Sequence, residues 1–412
     1  MKRRNFLKTI GLSGLALTSS ACQYIPRYGL FNPCYKTGLP KQLAEHDLVQ
    51  EIWNDIDTSQ VWDCHTHLIG MGDSDSGIWL NPDMKSLLHP IFYTKFKFYI
   101  NGSCAVPNEM ETLDESFVNR LVHLHRGMPE DFRFCLLAFD YHYNEKGEIV
   151  KEYSTFYTPN KYAAKIAKKF PKQFEWIASI HPYREDAIEA LEFAVKHNAR
   201  AVKWLPAAMG ITPDSKLCDE FYQALVKHNM PLLTHVGAEQ AVEVPGGKRN
   251  ENPLLFRRAL DHGVRVIFAH CATLGESTDL DKGENGSAIA NLDLFARMMS
   301  ETKYEKLLYG DISAITQVNR DKEQIEKIIT NEQWHSRLLY GSDYPLPGVM
   351  PVFSPHNFSD WGLLPEKEAD LIADIREYNP ALFDIMLKRR LKVNGKHFST
   401  QVFESRRFFE KT

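Results

Sequence analysis

Two histidines separated by one residue, His65 and His67, close the run Val61-Trp62-Asp63-Cys64-His65-Thr66-His67-Leu68. Side chains alternate along a β-strand, so on a regular strand both imidazoles point to one face. Two neutral imidazoles on one face can hold a metal ion at about 2.0–2.1 Å each. Such a pair is weak evidence by itself. It gains weight from the residues that end other apolar runs. Lys203 lies in Ala201–Leu205, His235 closes Pro231-Leu232-Leu233-Thr234-His235, His270 follows Val264–Ala269, and Asp343 closes Leu338-Leu339-Tyr340-Gly341-Ser342-Asp343.

Those runs must be positioned by a fold that brings strand ends together. Eight strand-like segments can be read: Val61–His67, Phe132–Phe139, Phe174–Ile180, Arg200–Leu205, Pro231–His235, Val264–His270, Lys306–Ile312 and Arg337–Asp343. Amphipathic stretches lie between them, at Asp186–His197, Asp214–His228, Phe256–Asp261 and Ile289–Met299, with a first helix at Leu43–Ile56. Strands alternating with helices, apolar on both faces, predict an α/β (β/α)8 TIM barrel. Catalytic groups of a barrel come from the C-terminal ends of its strands, where the ligand-type residues fall. The stretch between His67 and Phe132 is too long for one helix. Trp79, Phe92, Tyr93, Phe96, Phe98 and Tyr99 crowd it, so it reads as an insertion after the first strand that distorts the barrel and forms a lid or pocket wall. Gly70-Met71-Gly72-Asp73 lacks the third glycine of a dinucleotide-binding turn, and no Gly-x-Ser-x-Gly elbow is present. Strand alternation is expected to turn Cys64 away from the two histidines.

The order and local context of these pieces resemble the amidohydrolase superfamily of metal-dependent barrel hydrolases. The matching pieces are Asp63-Cys64-His65-Thr66-His67, Thr234-His235-Val236-Gly237, Phe268-Ala269-His270-Cys271 and Tyr340-Gly341-Ser342-Asp343-Tyr344-Pro345. Asn379-Pro380-Ala381-Leu382-Phe383 resembles the asparagine-started helix that closes many members, and the resemblance runs from about residue 58 to 390. The eighth-strand motif is closest to the branch of decarboxylases, hydratases and lactonases of aromatic and dicarboxylic acids. The resemblance implies that His65, His67, His235 and Asp343 hold a divalent metal, most often zinc, which lowers the pKa of a bound water. It further implies Asp343 as that water's proton acceptor and His270 as the group that polarises or protonates the substrate. Lys203 either bridges a second metal after carboxylation or contacts an anionic substrate in a one-metal site; the one-metal reading is the expectation. His181 and Arg184 after the third strand, Glu239 after His235 and Asp311 after the seventh strand are further substrate-binding candidates, each with a structural hydrogen bond as its plainer role.

With a net charge of −4 and no basic run beyond the N-terminus, nucleic acid is not an expected partner. Lys2-Arg3-Arg4-Asn5-Phe6-Leu7-Lys8, the apolar Ile10–Leu17 and the small residues before Cys22 resemble a twin-arginine export signal, with Cys22 placed for lipidation. The expected location is therefore the periplasm or the cell envelope by a lipid anchor. Residues 1–22 read as signal, 23–45 as a tether, 46–400 as the barrel and 401–412 as a C-terminal tail. Of the seven cysteines, Cys64, Cys135 and Cys271 read as buried thiols; an oxidising compartment permits a bridge among the others. The expected function is metal-dependent hydrolysis of an amide, ester or lactone bond in a small molecule. Decarboxylation or hydration on the same scaffold is the alternative, and an inactive envelope binding lipoprotein is the alternative of another class.

Overall fold

Eight short parallel strands line up with the eight apolar runs. In chain order they are β1 (Trp62–His67), β2 (Arg133–Leu137), β3 (Phe174–Ile177), β4 (Val202–Trp204), β5 (Leu232–Thr234), β6 (Val266–Phe268), β7 (Leu308–Asp311) and β8 (Leu338–Leu339). The computed structural model describes residues 32–105, 107, 110–239, 242, 244, 246–349 and 351–410. The twin-arginine segment, Cys22 and the first part of the tether lie outside them.

The strands form two parallel sheets, β1-β2-β3 and β4-β5-β6-β7-β8. The sheets are hydrogen-bonded to each other at both edges. Between β3 and β4, Ala178 N donates to Ala201 O at 2.9 Å; between β8 and β1, Cys64 N donates to Tyr340 O at 3.0 Å and Asp343 N to His65 O at 2.8 Å. The architecture is a TIM barrel, with strands alternating with helices.

Alternation along the strands sorts the side chains into two apolar clusters. Trp62, Cys64, Cys135, Leu137, Ile177, Ala201, Leu233, Ile267 and Leu339 pack together, with Tyr309 against them, as the lumen of the barrel. Their neighbours Phe134, Trp176, Val202, Leu232, Val266 and Leu338 belong to the outer cluster shared with the helices. Lys203, His235 and Asp311 stand two residues beyond Ala201, Leu233 and Tyr309, so the period of two carries them one step up the lumen.

β1 departs from simple alternation. Asp63 pairs with Phe134 and Thr66 with Leu136, so one extra residue is inserted between them. This bulge changes the phase of the strand. Trp62 and Cys64 face the lumen below it, and His65 and His67 reach the top of the same lumen. The expectation that alternation turns Cys64 away from the histidines is thereby corrected: Cys64 lies beneath them, among lumen residues.

Helices Ala187–Lys196, Asp219–Lys227, Arg257–Asp261 and Asn291–Met299 fall where their periodicity placed them. The expected first helix is instead two pieces, Lys41–Ala44 and Asp47–Glu51, because the His46 ring accepts the Leu48 N–H at 3.2 Å and starts a new helix. The insertion after β1 contains helices Pro90–Ser103 and Leu113–His125, the latter begun by a Thr112–Glu115 capping box. Asn379 caps the helix Pro380–Arg390, accepting from Ala381 N and Leu382 N.

Both assigned ends of the chain differ from a loose tether and tail. Cys34 is disulfide-bonded to Cys104, and Asn32 N donates to Asn101 Oδ1 at 3.1 Å, so the described end of the tether is fastened to the insertion. Residues 401–410 belong to the body. Phe408 and Phe409 are buried in the lumen cluster, and Ser405 Oγ accepts the Tyr340 N–H at 2.9 Å. Two adjacent aromatic side chains bury too much apolar surface to remain in solvent when the open base of the barrel can take them. Among the described residues no helix is long and apolar enough to cross a membrane.

Candidate metal centre

His65 Nε2, His67 Nε2 and Asp343 Oδ1 converge at the top of the lumen. Asp343 Oδ1 lies 3.0 Å from His67 Nε2 and 3.4 Å from His65 Nε2. One ligand atom from each of the three residues falls within 4.8 Å of the others. The same end of the barrel opens into a cavity of about 400 Å³, lined by His65, His67, Lys203, His235, Glu239, His270, Arg320 and Asp343 and by apolar side chains.

His65 is held by its other nitrogen. Its Nδ1 lies 2.9 Å from Asp311 Oδ2, so an Nδ1–H donates to the carboxylate and Nε2 presents its lone pair to the centre. Burial, then the nearby Lys203 ammonium, pull the His65 pKa down to about 4, which keeps the ring neutral. Burial alone would raise Asp311, but the contact with His65 outweighs it and holds the carboxyl below its usual range. The sequence offers Asp311 as a substrate contact or a structural group; its place is behind His65, and Ser313 completes the support. Ser313 Oγ lies 3.1 Å from His65 Nδ1 and 2.8 Å from His270 Nδ1, and it bonds Asp311 Oδ1.

His270 and Asp343 reach the centre through unusual backbone. His270, Cys271 and Ala272 have φ of 58°, 51° and 54°, and Asp343 has φ of 63°. Alternation would turn His270 outward, one residue after the lumen residue Ala269. The left-handed turn brings its ring instead to 5.1 Å from the rings of His65 and of His235. Left-handed conformations cost about 1–3 kcal/mol each and persist where surroundings enforce them. Here His270 N donates to Asp311 Oδ1 at 2.9 Å, and Asp343 N donates to His65 O. β8 approaches β1 closely because Gly341 has no side chain: a Cβ there would sit 2.8 Å from His65 Cβ. Lys388, buried with Asp384 at 2.6 Å, donates to the Gly341 carbonyl at 2.8 Å.

The remaining candidates divide. His235 stands just outside the three-residue group; its Nε2 is 3.4 Å from Glu239 Oε2 and is buried without a hydrogen-bond partner. Lys203 is buried, with Nζ 3.2 Å from His65 Nε2. Burial pulls its pKa down, against the pull of Asp311 and Asp343. Glu239 lines the cavity beside His235. His181 and Arg184 are not brought to the site. His181 Nε2 is 2.9 Å from the Met209 carbonyl, and Arg184 is paired with Asp140 at 2.8 Å and Asp186 at 2.7 Å. The lid reading holds in part: Phe96, Phe98 and Tyr99 line the cavity, while Trp79 packs on Tyr141 and Phe92 is exposed.

The neutral His65 ring, the His67 ring, the Asp343 carboxylate and His235 Nε2, buried without a hydrogen bond, fit the donor set of a divalent transition-metal site. Such orphaned buried atoms are rare in folded proteins, and a metal ligand's nitrogen is one that needs no proton partner.

No curated protein matches the sequence. Among solved structures, similarity extends to an uncharacterized TIM-barrel protein from Bordetella bronchiseptica (14% identity, 77% of this chain and 97% of that one, TM-score 0.46). It extends also to the manganese-bound 5-carboxyvanillate decarboxylase of Novosphingobium aromaticivorans (10% identity, 85% and 96%, TM-score 0.43). A third is the IDCase of Metarhizium anisopliae (14% identity, 82% and 98%, TM-score 0.40). A family model described as Amidohydrolase matches residues 62–383, which spans the barrel from the first lumen residue of β1 into the Asn379-capped helix; the chain belongs to the amidohydrolase family.

Proposed function

We propose that this amidohydrolase hydrolyses an amide, ester or lactone bond of a small molecule with the help of one divalent ion, zinc first among them. The observation that carries the reading is the convergence of His65 Nε2, His67 Nε2 and Asp343 Oδ1 at the mouth of the cavity, with His235 Nε2 nearby, buried without a hydrogen bond. These four residues would hold the ion. Bound there, a divalent ion supplies Lewis acidity and makes a water acidic enough to lose a proton near neutral pH.

The chain's own groups handle the proton. Asp343 Oδ1 faces the two histidines, while its Oδ2 lies 4.0 Å from His270 Nε2. Asp343 is the acceptor. His270 Nδ1 lies 2.9 Å from the Ser313 carbonyl, which requires an Nδ1–H and leaves Nε2 as an acceptor in the neutral ring. In that tautomer Nε2 carries no proton, so the ring donates there only after taking one from the Asp343 side. His270 thus acts as a relay that returns the proton to the leaving group. Lys203, unmodified beside His65, serves an anionic part of the substrate.

Elemental analysis of the purified full chain and of His65→Ala tests this reading, alongside turnover of amide, ester and lactone panels. About one ion per chain, lost in the variant, is the expected result. Two ions per chain would move Lys203 and His270 into the metal shell. One ion with carbon dioxide release or water addition, and no hydrolysis, would select decarboxylation or hydration. No metal affinity at all would overturn the enzyme reading in favour of a binding protein. The Cys34–Cys104 disulfide supports the proposal that residues 1–22 direct export to an oxidising compartment. The mass of the mature chain from the membrane fraction tests lipidation of Cys22.

A further inference from the structure

The two ends of the helix Pro90–Ser103 have different surroundings. Toward its C-terminus Lys95, Phe96, Phe98, Tyr99 and Ile100 line the cavity, and Gly102 lies against Val349. Its leading end is apolar and in solvent. Leu87 is 76% exposed, Leu88 89%, Ile91 71% and Phe92 41%, and His89 and Pro90 between them are exposed as well. Four large apolar side chains in the six positions 87–92 add nothing to the core while they stay in water. A contiguous apolar tip of this kind marks a surface that another body covers.

Two observations identify that body. The first is where the tether is fastened. The Cys34–Cys104 disulfide and the bond from Asn32 N to Asn101 Oδ1 tie it to the other end of this same helix. Cys22 stands ten positions before Asn32, a span of at most about 33–36 Å when fully extended. Ile91 stands ten positions before Asn101, about 15 Å along the helix. A lipid on Cys22 therefore keeps the apolar tip within about one tether length of the bilayer. The second observation is charge. Residues 84–104 contain Lys85, Lys95 and Lys97 and no acidic residue, and residues 23–41 contain Arg27, Lys36 and Lys41 and again none. Asp83 stands just before and faces the His89 ring at 3.4 Å. In a chain of net charge −4 this is a local positive surplus, which suits anionic headgroups. The same face of a second copy would bring the same positive charge.

We propose that Leu87, Leu88, Ile91 and Phe92 dip into the surface of an anionic phospholipid bilayer, with the neighbouring lysines at its headgroups. The reach of the tether rests on the proposed lipidation of Cys22; the apolar tip and its charge do not. Docked in this way, the helix that walls the cavity is the element that meets the membrane, and the cavity is held beside the bilayer.

The test is amide hydrogen exchange of the full chain with and without vesicles of phosphatidylethanolamine and phosphatidylglycerol. The first amides of a helix have no intrahelical acceptor, so exchange over residues 87–92 reports their cover directly. Vesicles are expected to slow it by about 10-fold or more. Leu88→Asp with Ile91→Asp should return it to the vesicle-free rate; Leu88→Ser with Ile91→Ser carries the test if the aspartate pair does not fold. No protection over 87–92 overturns the proposal, and sedimentation of that same chain with the vesicles would leave the anchor reading standing. Protection in a chain whose mass shows no lipid on Cys22 supports the docking surface while the anchor reading fails. Protection that rises with protein concentration alone, and does not grow when vesicles are added, overturns the membrane in favour of a second copy.

Discussion

The two ends of the barrel lumen are built from the same strands and carry opposite chemistry. At the lower end Trp62, Leu233, Ile267 and Leu339 pack against Phe408 and Phe409 of the chain terminus. At the upper end, toward the C-terminal ends of the barrel strands, stand His65, His67, Lys203, His235, Asp311 and Asp343. At the lower end the charged groups stay at the rim, with Arg200 and Arg406 over the Trp62 ring and Arg265 over the Phe408 ring. At the upper end nearly every polar atom answers to another one, and His270 and Asp343 hold left-handed backbone that the lower strand residues do not need. The contrast teaches that the apolar half supplies rigidity, so that the polar half can be held in a strained, unsaturated arrangement open to ligands. Three of the free thiols, Cys64, Cys135 and Cys271, sit at or beside the lumen, and burial pushes each of them up, which makes them inert packing groups.

This division can be broken from either end. Phe409→Ala removes a buried ring from the lower plug and is expected to cost about 3–5 kcal/mol in urea unfolding, with metal content per folded chain unchanged. A parallel loss of metal would show that the two ends are not separable. Next in size, Cys34→Ser with Cys104→Ser should cost about 2–4 kcal/mol. It should also raise hydrogen exchange in Pro90–Ser103, the helix that walls the cavity and ends beside Cys104. Unchanged exchange there would mean that the packing of Gly102 against Val349 holds the wall by itself.

At the upper end, Asp311→Asn keeps the shape but weakens the hold on the His65 tautomer. Metal competition assays should show affinity or turnover lower by about 10–100-fold, equal to about 1.4–2.8 kcal/mol. No change would demote Asp311 to a packing group. The effect that is smallest at neutral pH and grows only in acid concerns His181, whose pKa burial pulls down to about 3. The unfolded chain takes up this proton near pH 6.5 and the folded one does not. Stability from this group is therefore complete above pH 6.5 and lost as pH falls toward 3, by at most about 1.4 kcal/mol per pH unit. His181→Gln should remove that part of the acid slope; an unchanged slope would assign it to the site histidines.

Much of this arrangement is legible in the residues. All eight strands, the parallel barrel and the convergence of His65, His67 and Asp343 follow from apolar runs that end in ligand-type side chains, since strand polarity sends those ends to one face. His181 and Arg184 were legible as residues near that face but not by their partners: Met209, Asp140 and Asp186 had already engaged them. Residues 23–45 and 401–412 read as a tether and a tail because short polar or aromatic segments show no periodicity. Their attachment depends on Cys104 and on the open barrel base, which are remote in sequence.

Local sequence determined what needs only neighbours along the chain: the strand and helix periods, the capping residues, and the ligand types at the strand ends. Tertiary structure decided everything that depends on phase and on distant partners. The bulge in β1 set which residues share the lumen with His65. The left-handed turn at His270 set where that ring points. Packing left Arg320 Nη1 buried beside the cavity without a hydrogen-bond partner. These follow from contacts between segments far apart in the chain, whose energies no single stretch of residues contains.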